Sequence, residues 1–176
     1  MLSKILVIVV IAAAVLAVVI SMRPDEFSVS RSVLIHAPAA SVFDYVSDFR
    51  KWEKWSPWAG LDPDMRRTYS DPSSGPGAVY SWSGNNQVGE GSMTATEVRP
   101  NEVIRMKLEF LKPFKASNDA EFIFRPEGAG TSVTWSMSGK NNFISKAMGL
   151  FMNCDKMVGG QFDQGLAKLK SILEKQ

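Results

Sequence analysis

Few residues of this sequence can do acid–base, nucleophilic or metal chemistry. Its 176 residues include one histidine, His36, and one cysteine, Cys154. A disulfide framework and a multi-cysteine metal site are therefore excluded, and the usual zinc and haem ligand sets are incomplete. No acid and base stand out as a catalytic pair, so the catalytic residues stay unidentified. We expect binding rather than catalysis, with no metal and no cofactor.

Asp155 is the sharpest polar candidate because it falls on the apolar stripe of a predicted final helix, together with Phe151 and Phe162. An unpaired carboxylate on such a stripe is costly. One interpretation pairs it with a sheet residue such as Arg31 or Arg105, or exposes it by rotating the helix. The other makes it a polar anchor for the head group of a ligand, or a general acid or base with a raised pKa.

The charge balance argues against nucleic acid as a partner. The chain has 20 Lys and Arg residues against 18 Asp and Glu, a formal charge of +2 that is spread over its whole length. Nucleic-acid-binding domains concentrate Lys and Arg on one face or stripe. We therefore expect no nucleic-acid partner.

The N-terminal segment is typical of a membrane span. Residues 5–20 are an unbroken apolar run within the longer apolar segment 2–22. At about 1.5 Å per residue, a helix of this length crosses roughly the 30 Å hydrocarbon core of a bilayer. A cleaved signal peptide is the alternative, with a cleavage site near Ser21. We expect a retained single-pass helix over residues 1–23, a linker over residues 24–27 and one domain over residues 28–176.

The charges that flank the apolar helix bear on which side of the membrane the domain lies. Lys4 precedes the apolar helix and Arg23 follows it, so the charges that the positive-inside rule counts are nearly balanced. The free amino terminus favours an N-terminus inside, which places the domain outside the cytoplasm at a bacterial-type inner membrane.

The rest of the chain predicts an α+β domain. A strand over residues 27–35 precedes two short helices over 39–48 and 50–58, and five further strands follow at 78–83, 89–98, 103–111, 115–125 and 131–139. The connections suit antiparallel hairpins with one dry face. A helix of about 30 residues, 143–173, covers that face, and Gly159 and Gly160 interrupt or kink it.

Several strings, in this order, resemble the SRPBCC superfamily in its polyketide cyclase/dehydrase-like, START-like branch. They are RSVLIHAP at 31–38, WEKWSPW at 52–58, GAVYSW at 77–82, TSVTW at 131–135 and GLAKLK at 165–170. The resemblance covers about residues 27–175. It implies the helix-grip fold, in which a curved antiparallel sheet wraps around a long C-terminal helix. It also implies a deep apolar cavity that accommodates lipids, sterols, polyketides or other hydrophobic molecules.

If the dry face of the sheet points at the final helix, the apolar residues of the two elements line this cavity. The predicted ligand-binding residues are Tyr80, Trp82, Met93, Met106, Leu108, Phe110, Phe122, Trp135, Met137, Phe151 and Asp155. The alternative is a solid core made of the same side chains. Likewise, the tryptophans at 52, 55 and 58 either pack the short helices onto the sheet or form an aromatic rim.

The resemblance leaves three functions open. The first is a membrane-anchored protein that binds or transports a hydrophobic small molecule, lipid-like or polyketide-like. The second is a cyclase- or dehydrase-type enzyme that acts on a hydrophobic substrate in the same cavity. The third is a stress or interaction module whose cavity is vestigial. Fold alone does not choose among them.

Overall fold

The structure is a computed structural model that describes residues 2–150 and 153–175. Its first element is the helix α1, Leu2–Ser21. Residues Ser3–Ser21 are long and apolar enough to cross a membrane, and 6% of that window is buried against the rest of the chain. A signal sequence would have the same length and composition, so this helix is a candidate membrane span.

Seven antiparallel strands form one sheet in the order β1-β7-β6-β5-β4-β3-β2. Six of them confirm the strands expected from the sequence, and β2 was not predicted. The strands are β1 Glu26–Ile35, β2 Arg66–Tyr69, β3 Val79–Ser83, β4 Glu90–Arg99, β5 Val103–Lys112, β6 Ala116–Glu127 and β7 Gly130–Lys140.

The two short helices after β1 are confirmed as α2, Ala39–Ser47, and a 3-10 helix, Phe49–Lys54. Asp48 links them, since its side chain accepts a hydrogen bond from the backbone N–H of Arg50 at 3.0 Å. Two tryptophan side chains tie the 3-10 segment back to α2. The Trp52 indole donates to the carbonyl of Val46 at 2.8 Å, and the Trp55 indole donates to the carbonyl of Tyr45 at 3.2 Å.

The long C-terminal helix is confirmed, but its expected extent over residues 143–173 was wrong. The segment forms α3, Phe143–Met148, and a separate helix α4, Cys154–Leu173. Asn142 and Asn153 start the two helices, and each side-chain oxygen accepts a hydrogen bond from a backbone N–H three residues later. The interruption therefore lies before Asn153, and α4 continues without a break through Gly159 and Gly160.

The core lies between the inner face of the sheet, α4 and the short helices, which is the helix-grip arrangement. In β5 the alternation is clear, because Ile104, Met106 and Leu108 are buried whereas Arg105 faces solvent. The outer face is held by ion pairs, among them Arg105 with Glu121 at 2.7 Å and Lys107 with Asp119 at 3.0 Å.

The register puts one set of strand ends on a single edge of the sheet. The first residues of β1, β4 and β6 lie there beside the last residues of β3, β5 and β7, since Glu26 pairs with Lys140 and Glu90 pairs with both Ser83 and Lys112. The start of β6 is on the same edge through the pairing of Phe110 with Ala116. We call this the proximal edge, because α1 leads into β1 there.

Candidate functional site

An apolar cavity of about 290 Å³ lies between the inner face of the sheet, the 3-10 segment and α4. Its volume is at the lower end of the range for small-molecule pockets, roughly 300–1,000 Å³. Most of its lining side chains are aromatic or aliphatic, among them Trp52, Trp58, Met65, Tyr69, Tyr80, Trp82, Val88, Met93, Leu108, Phe110, Trp135, Met137, Val158 and Phe162.

Seven of the predicted ligand-binding residues line this cavity: Tyr80, Trp82, Met93, Leu108, Phe110, Trp135 and Met137. Met106 and Phe122 do not line it, and their side chains pack within the core at 1% and 0% exposure. Phe151 lies outside the described residues. The alternation along each strand therefore selects the inner face correctly, but it does not separate cavity wall from solid core. That the seven bind a ligand stays a prediction.

Asp155 also lies away from the cavity, so its expected place in the ligand site is corrected. Its side chain is 58% exposed and forms an ion pair with Arg31, with Nη1 to Oδ1 at 2.9 Å. The Arg31 Nε also contacts Asp163 Oδ2 at 3.2 Å. The guanidinium side chain lowers the pKa of the Asp155 carboxyl, chiefly by this hydrogen bond. This is the salt-bridge interpretation, with Arg31 as the partner.

Gly159 explains how Arg31 reaches α4. A Cβ at this buried glycine would lie 2.1 Å from the Arg31 Nη2 atom. The helix therefore carries a glycine where the guanidinium presses against it, which replaces the kink expected at this position with a close contact. This contact between Arg31 and Gly159 holds α4 against β1.

Stacked aromatic rings form part of the cavity wall. Trp135 stacks on Phe162 of α4 with ring centroids 4.0 Å apart and an interplanar angle of 12°. Its indole also stacks on Phe122, at 4.8 Å. Of the three neighbouring tryptophans, Trp55 is fully buried in the core, whereas Trp52 and Trp58 line the cavity. Trp52 and Trp55 therefore pack the short helices onto the sheet, against Phe122 and Trp135, and an aromatic rim stays a prediction.

Arg67 provides the positive charge beside the apolar wall. Its Nη2 donates to the carbonyl of Ala59 at 2.9 Å and its Nη1 donates to the carbonyl of Met65 at 3.3 Å. The third donor nitrogen, Nε, is buried and meets no acceptor among residues 2–150 and 153–175, while the Tyr80 hydroxyl lies close to the guanidinium group. A buried donor without an acceptor costs free energy.

Two tyrosines stand next to Arg67. Their rings stack at 5.2 Å, and the hydroxyl of Tyr69 donates to the Glu53 carboxylate at 2.6 Å. Burial raises the pKa of Tyr69, and the hydrogen bond to Glu53 adds to this. Burial also raises the pKa of Tyr80, while the nearby Arg67 partly opposes that effect. Both phenols are therefore neutral hydrogen-bonding groups at neutral pH.

Two hairpin loops at the proximal edge contribute exposed residues to the cavity wall, and we call this part of the cavity its mouth. Residues 86–89 come from the β3–β4 loop, and Lys112 and Pro113 come from the end of β5. Trp82 holds the first loop, because its indole donates to the carbonyl of Val88 at 3.0 Å. Gly89 has φ +67, and a Cβ there would lie 2.4 Å from the carbonyl oxygen of Lys112. Only glycine lets the two loops approach this closely.

Sequence reasoning missed Arg67, Met65 and Tyr69 as cavity residues because it missed β2. The signal available was the pair of tyrosines, Tyr69 and Tyr80, which lie directly opposite each other in the register of β2 and β3.

His36 is exposed and its backbone N–H donates to Glu174 at 2.8 Å. Among residues 2–150 and 153–175, no three His, Cys, Asp or Glu side chains come together as metal ligands.

Comparison with known proteins agrees with this architecture. Residues 26–174 match a family described as "Polyketide cyclase / dehydrase and lipid transport". No curated protein matches the chain.

Three solved structures illustrate the shared fold. The protein MLL2253 from Mesorhizobium loti is 18% identical, with a TM-score of 0.61, and the match covers 85% of this chain and 98% of that one. The Aha1 dimer from Colwellia psychrerythraea is 16% identical, with a TM-score of 0.59 over 84% and 96% of the two chains. The di-domain ARO/CYC protein StfQ from the steffimycin biosynthetic pathway is 11% identical, with a TM-score of 0.62 over 85% and 51%. At these identities the likeness shows the fold alone.

Proposed function

Because the chain belongs to the polyketide cyclase/dehydrase and lipid transport family, we propose that it binds or carries a hydrophobic small molecule in the cavity while α1 holds it at a membrane. In this proposal residues 1–23 are the anchor, residues 24–27 the linker and residues 28–176 the ligand-binding domain. The family implies hydrophobic small-molecule binding, and the membrane attachment is the part added here.

The observation that carries the proposal is the aromatic and methionine-rich cavity itself. Its wall brings together rings from the sheet, the 3-10 segment and α4, including Trp52, Trp82 and Trp135. Such side chains stack on flat apolar molecules. Met65, Met93 and Met137 add flexible thioethers that adapt to different ligand shapes. These properties favour a ligand with an aromatic or polyene body, or one segment of a lipid.

The buried Nε of Arg67 supports a ligand with an acceptor oxygen. Two of the three guanidinium nitrogens already bind backbone carbonyls, so the side chain is held in place before any ligand arrives. A carboxylate or carbonyl oxygen that reaches Nε would gain a charge-assisted hydrogen bond to a guanidinium that is already held in position. We therefore expect an apolar body with an oxygen at one end.

Attachment through α1 suits such a ligand. A hydrophobic molecule dissolves in the bilayer, and a tethered domain meets it at a much higher effective concentration than a freely diffusing one. The composition of α1 fits a single-pass span. We further propose that the domain stands outside the cytoplasm of a bacterial-type inner membrane, which protease accessibility of the domain in sealed membrane vesicles would test.

An enzyme of the cyclase type is the second candidate. StfQ is by its title an ARO/CYC protein, and the neighbouring Arg67 and Tyr80 could polarise a carbonyl oxygen. Binding is favoured because burial raises the pKa of Tyr80, which weakens it as an acid. Turnover of an aromatic polyketone by the wild-type protein, lost in Tyr80→Phe, would favour the enzyme.

Native mass spectrometry of the full-length protein, released from detergent, tests the proposed function. We expect a co-purifying hydrophobic molecule in the wild type. Ala120 is 5% exposed and lines the cavity, so Ala120→Leu fills part of its volume and should lose that molecule. Ala40→Leu, on the exposed side of α2, is the matched control and should keep it. A protein that is empty and also binds no member of a lipid panel would contradict the proposal.

A further inference from the structure

We propose that the proximal edge of the domain is a bilayer-docking surface, on which the mouth of the cavity opens directly onto the lipid. The occupant of this surface is the lipid bilayer that holds α1. The inference rests on the proposed function, because it takes α1 as a membrane anchor, and it adds where the domain touches the membrane and how a ligand enters.

The exposed apolar side chains of the domain are gathered on this edge. At its hairpin side, Leu111 is 52% and Phe114 57% exposed, on either side of the cavity-lining Pro113. Leu61 is 36% exposed, and its carbonyl accepts a hydrogen bond from Asn85 Nδ2 in the β3–β4 loop at 3.2 Å. A large ring such as Phe114 on a loop tip costs solubility unless something apolar covers it.

The helix side of the same edge carries a second apolar group. Phe143 and Ile144 are each 55% exposed on α3, and Met148 is 39% exposed. Met157 is 53% exposed in the first turn of α4. That turn is on the same edge, because Asn153 and Asp155 share a surface groove with Arg23 and Pro24, which follow α1.

The opposite edge differs sharply in composition. Apart from α1 and Met22, each exposed large apolar side chain among the described residues belongs to one of the two groups above. The opposite edge carries the turns at residues 36–38, 100–102 and 128–129, and none of the described residues there exposes such a side chain. Random scatter of surface apolar residues would not produce this one-sided arrangement.

Helix α1 ends at this apolar surface. Lys146 of α3 donates to the carbonyl of Ser21 at 3.4 Å and also to the carboxylate of Asp25, so α3 is tied to the end of α1 and to the residue before β1. The connection between these two elements is short, because α1 ends at Ser21 and β1 begins at Glu26. Even fully extended, such a segment reaches no more than about 18 Å. The edge that carries β1 therefore stays near the bilayer surface.

The side of the cavity mouth formed by the β5–β6 loop lies within the same distance of β1. Strands β7 and β6 lie next to β1 in the sheet order, so the β5–β6 loop is about 10 Å along the edge from the start of β1, at roughly 4.8 Å per strand. Residues of this loop and of the β3–β4 loop form the mouth. A molecule that leaves the bilayer at this edge would pass Phe114 and Pro113 and enter the cavity without crossing water.

The proximal edge docks on the bilayer through apolar contact rather than through charge. Arg23, Lys115 and Lys140 are exposed at this edge, which would strengthen contact with anionic lipids. However, Asp25 and Glu26 are exposed there too, and Asp25 is paired with Lys146. We therefore expect docking on zwitterionic bilayers as well, with only a modest gain from anionic lipid.

The experiment uses the full-length protein in phosphatidylcholine nanodiscs, with Cys154→Ser in each variant. A single cysteine at Phe114, Ile144 or Ala129 carries an environment-sensitive fluorophore, and Ala129, exposed in the β6–β7 turn on the opposite edge, is the control. We expect blue-shifted emission at Phe114→Cys and Ile144→Cys, with at least two-fold stronger quenching by doxyl lipids than at Ala129→Cys. Iodide in solution should quench only the Ala129→Cys label strongly. Thermal melts confirm that each variant is folded.

Equal iodide quenching at all three positions would overturn the docking surface. Extraction of the protein from membranes by alkaline carbonate would also overturn it, because α1 would then not be an anchor. Neither result bears on ligand binding in the cavity, because native mass spectrometry of the protein released from detergent measures that binding separately. Replacement of phosphatidylcholine by phosphatidylglycerol distinguishes the two forces: a signal that appears only with the anionic lipid would refute apolar docking.

Discussion

Arg67→Leu separates the structural contacts of this arginine from its expected contact with a ligand. The wild-type guanidinium donates to the carbonyls of Ala59 and Met65, and both hydrogen bonds are lost in the variant. Net hydrogen bonds to charged groups contribute about 1.5–3 kcal/mol each. Allowing for partial exposure, we expect a loss of roughly 2–4 kcal/mol, or a fall in melting temperature of roughly 5–15 °C for a domain of this size.

The ligand contact is measured as a preference between two probes. Dissociation constants are determined for 2-naphthoate and 2-methylnaphthalene, an acid and a hydrocarbon of almost the same shape, by quenching of tryptophan fluorescence in full-length protein. If Nε of Arg67 binds the carboxylate, one charge-assisted hydrogen bond of about 1.5–3 kcal/mol corresponds to a preference of roughly 10–150-fold for the acid. We expect the wild type to show this preference and Arg67→Leu to lose it.

The ratio of the two constants is insensitive to partial unfolding, because both probes need the same folded cavity. Arg66→Leu is the matched control: Arg66 is the exposed neighbour of Arg67, on the other face of β2. It should keep the preference and the melting temperature. A preference for the acid that survives in Arg67→Leu, or that disappears equally in Arg66→Leu, would refute the assignment of Arg67 as the polar anchor.

Three further predictions concern the framework of the site. Trp135→Ala removes a 3% exposed indole that stacks on Phe162; we expect a loss of about 3–5 kcal/mol in the free energy of unfolding, measured by denaturant titration, and a loss near zero would contradict the packing. Asp155→Asn weakens the ion pair with Arg31 and should slightly lower the melting temperature while probe binding is unchanged; weakened binding would restore a ligand role for this carboxyl. The pKa of Tyr69 is raised by burial, so the stability that its neutral form contributes is present below about pH 10 and is lost as the pH rises above it; the melting temperature should fall less between pH 9 and 11 in Tyr69→Phe than in the wild type, and an equal fall would contradict the shift.

The strands were predictable where one face of the sheet meets solvent. In β5 the buried Ile104 and Met106 alternate with Arg105 and Lys107, which form ion pairs across the outer face. Because the two faces differ in polarity, apolar and polar residues alternate along the strand with a period of two. Strand β2 lacks it, because its four residues, Arg66–Tyr69, contain no aliphatic side chain. Its pairing with β3 depends on the backbone and on tertiary context, and the cavity residues it carries were missed with it.

The division between cavity wall and solid core could not be predicted. Met93 and Met106 both point to the inner face, yet Met93 lines the cavity and Met106 is buried in the core. Strand periodicity gives the face, and the packing of α4 and the 3-10 segment over that face decides the rest. The helix break had a local signal, since Asn142 and Asn153 are favourable helix N-caps, but the apolar spacing across it is also consistent with one continuous helix.

Photo-crosslinking tests the central claim, that the cavity binds a hydrophobic molecule, most directly. The full-length protein in detergent is irradiated with a diazirine-bearing naphthoate, and the modified peptides are mapped by mass spectrometry with and without excess 2-naphthoate. We predict competed crosslinks on cavity residues of β3, β5 and β7, such as Trp82, Phe110 and Trp135. Crosslinks confined to α1 and the exposed apolar edge, or crosslinks in the cavity that excess 2-naphthoate does not reduce, would contradict it.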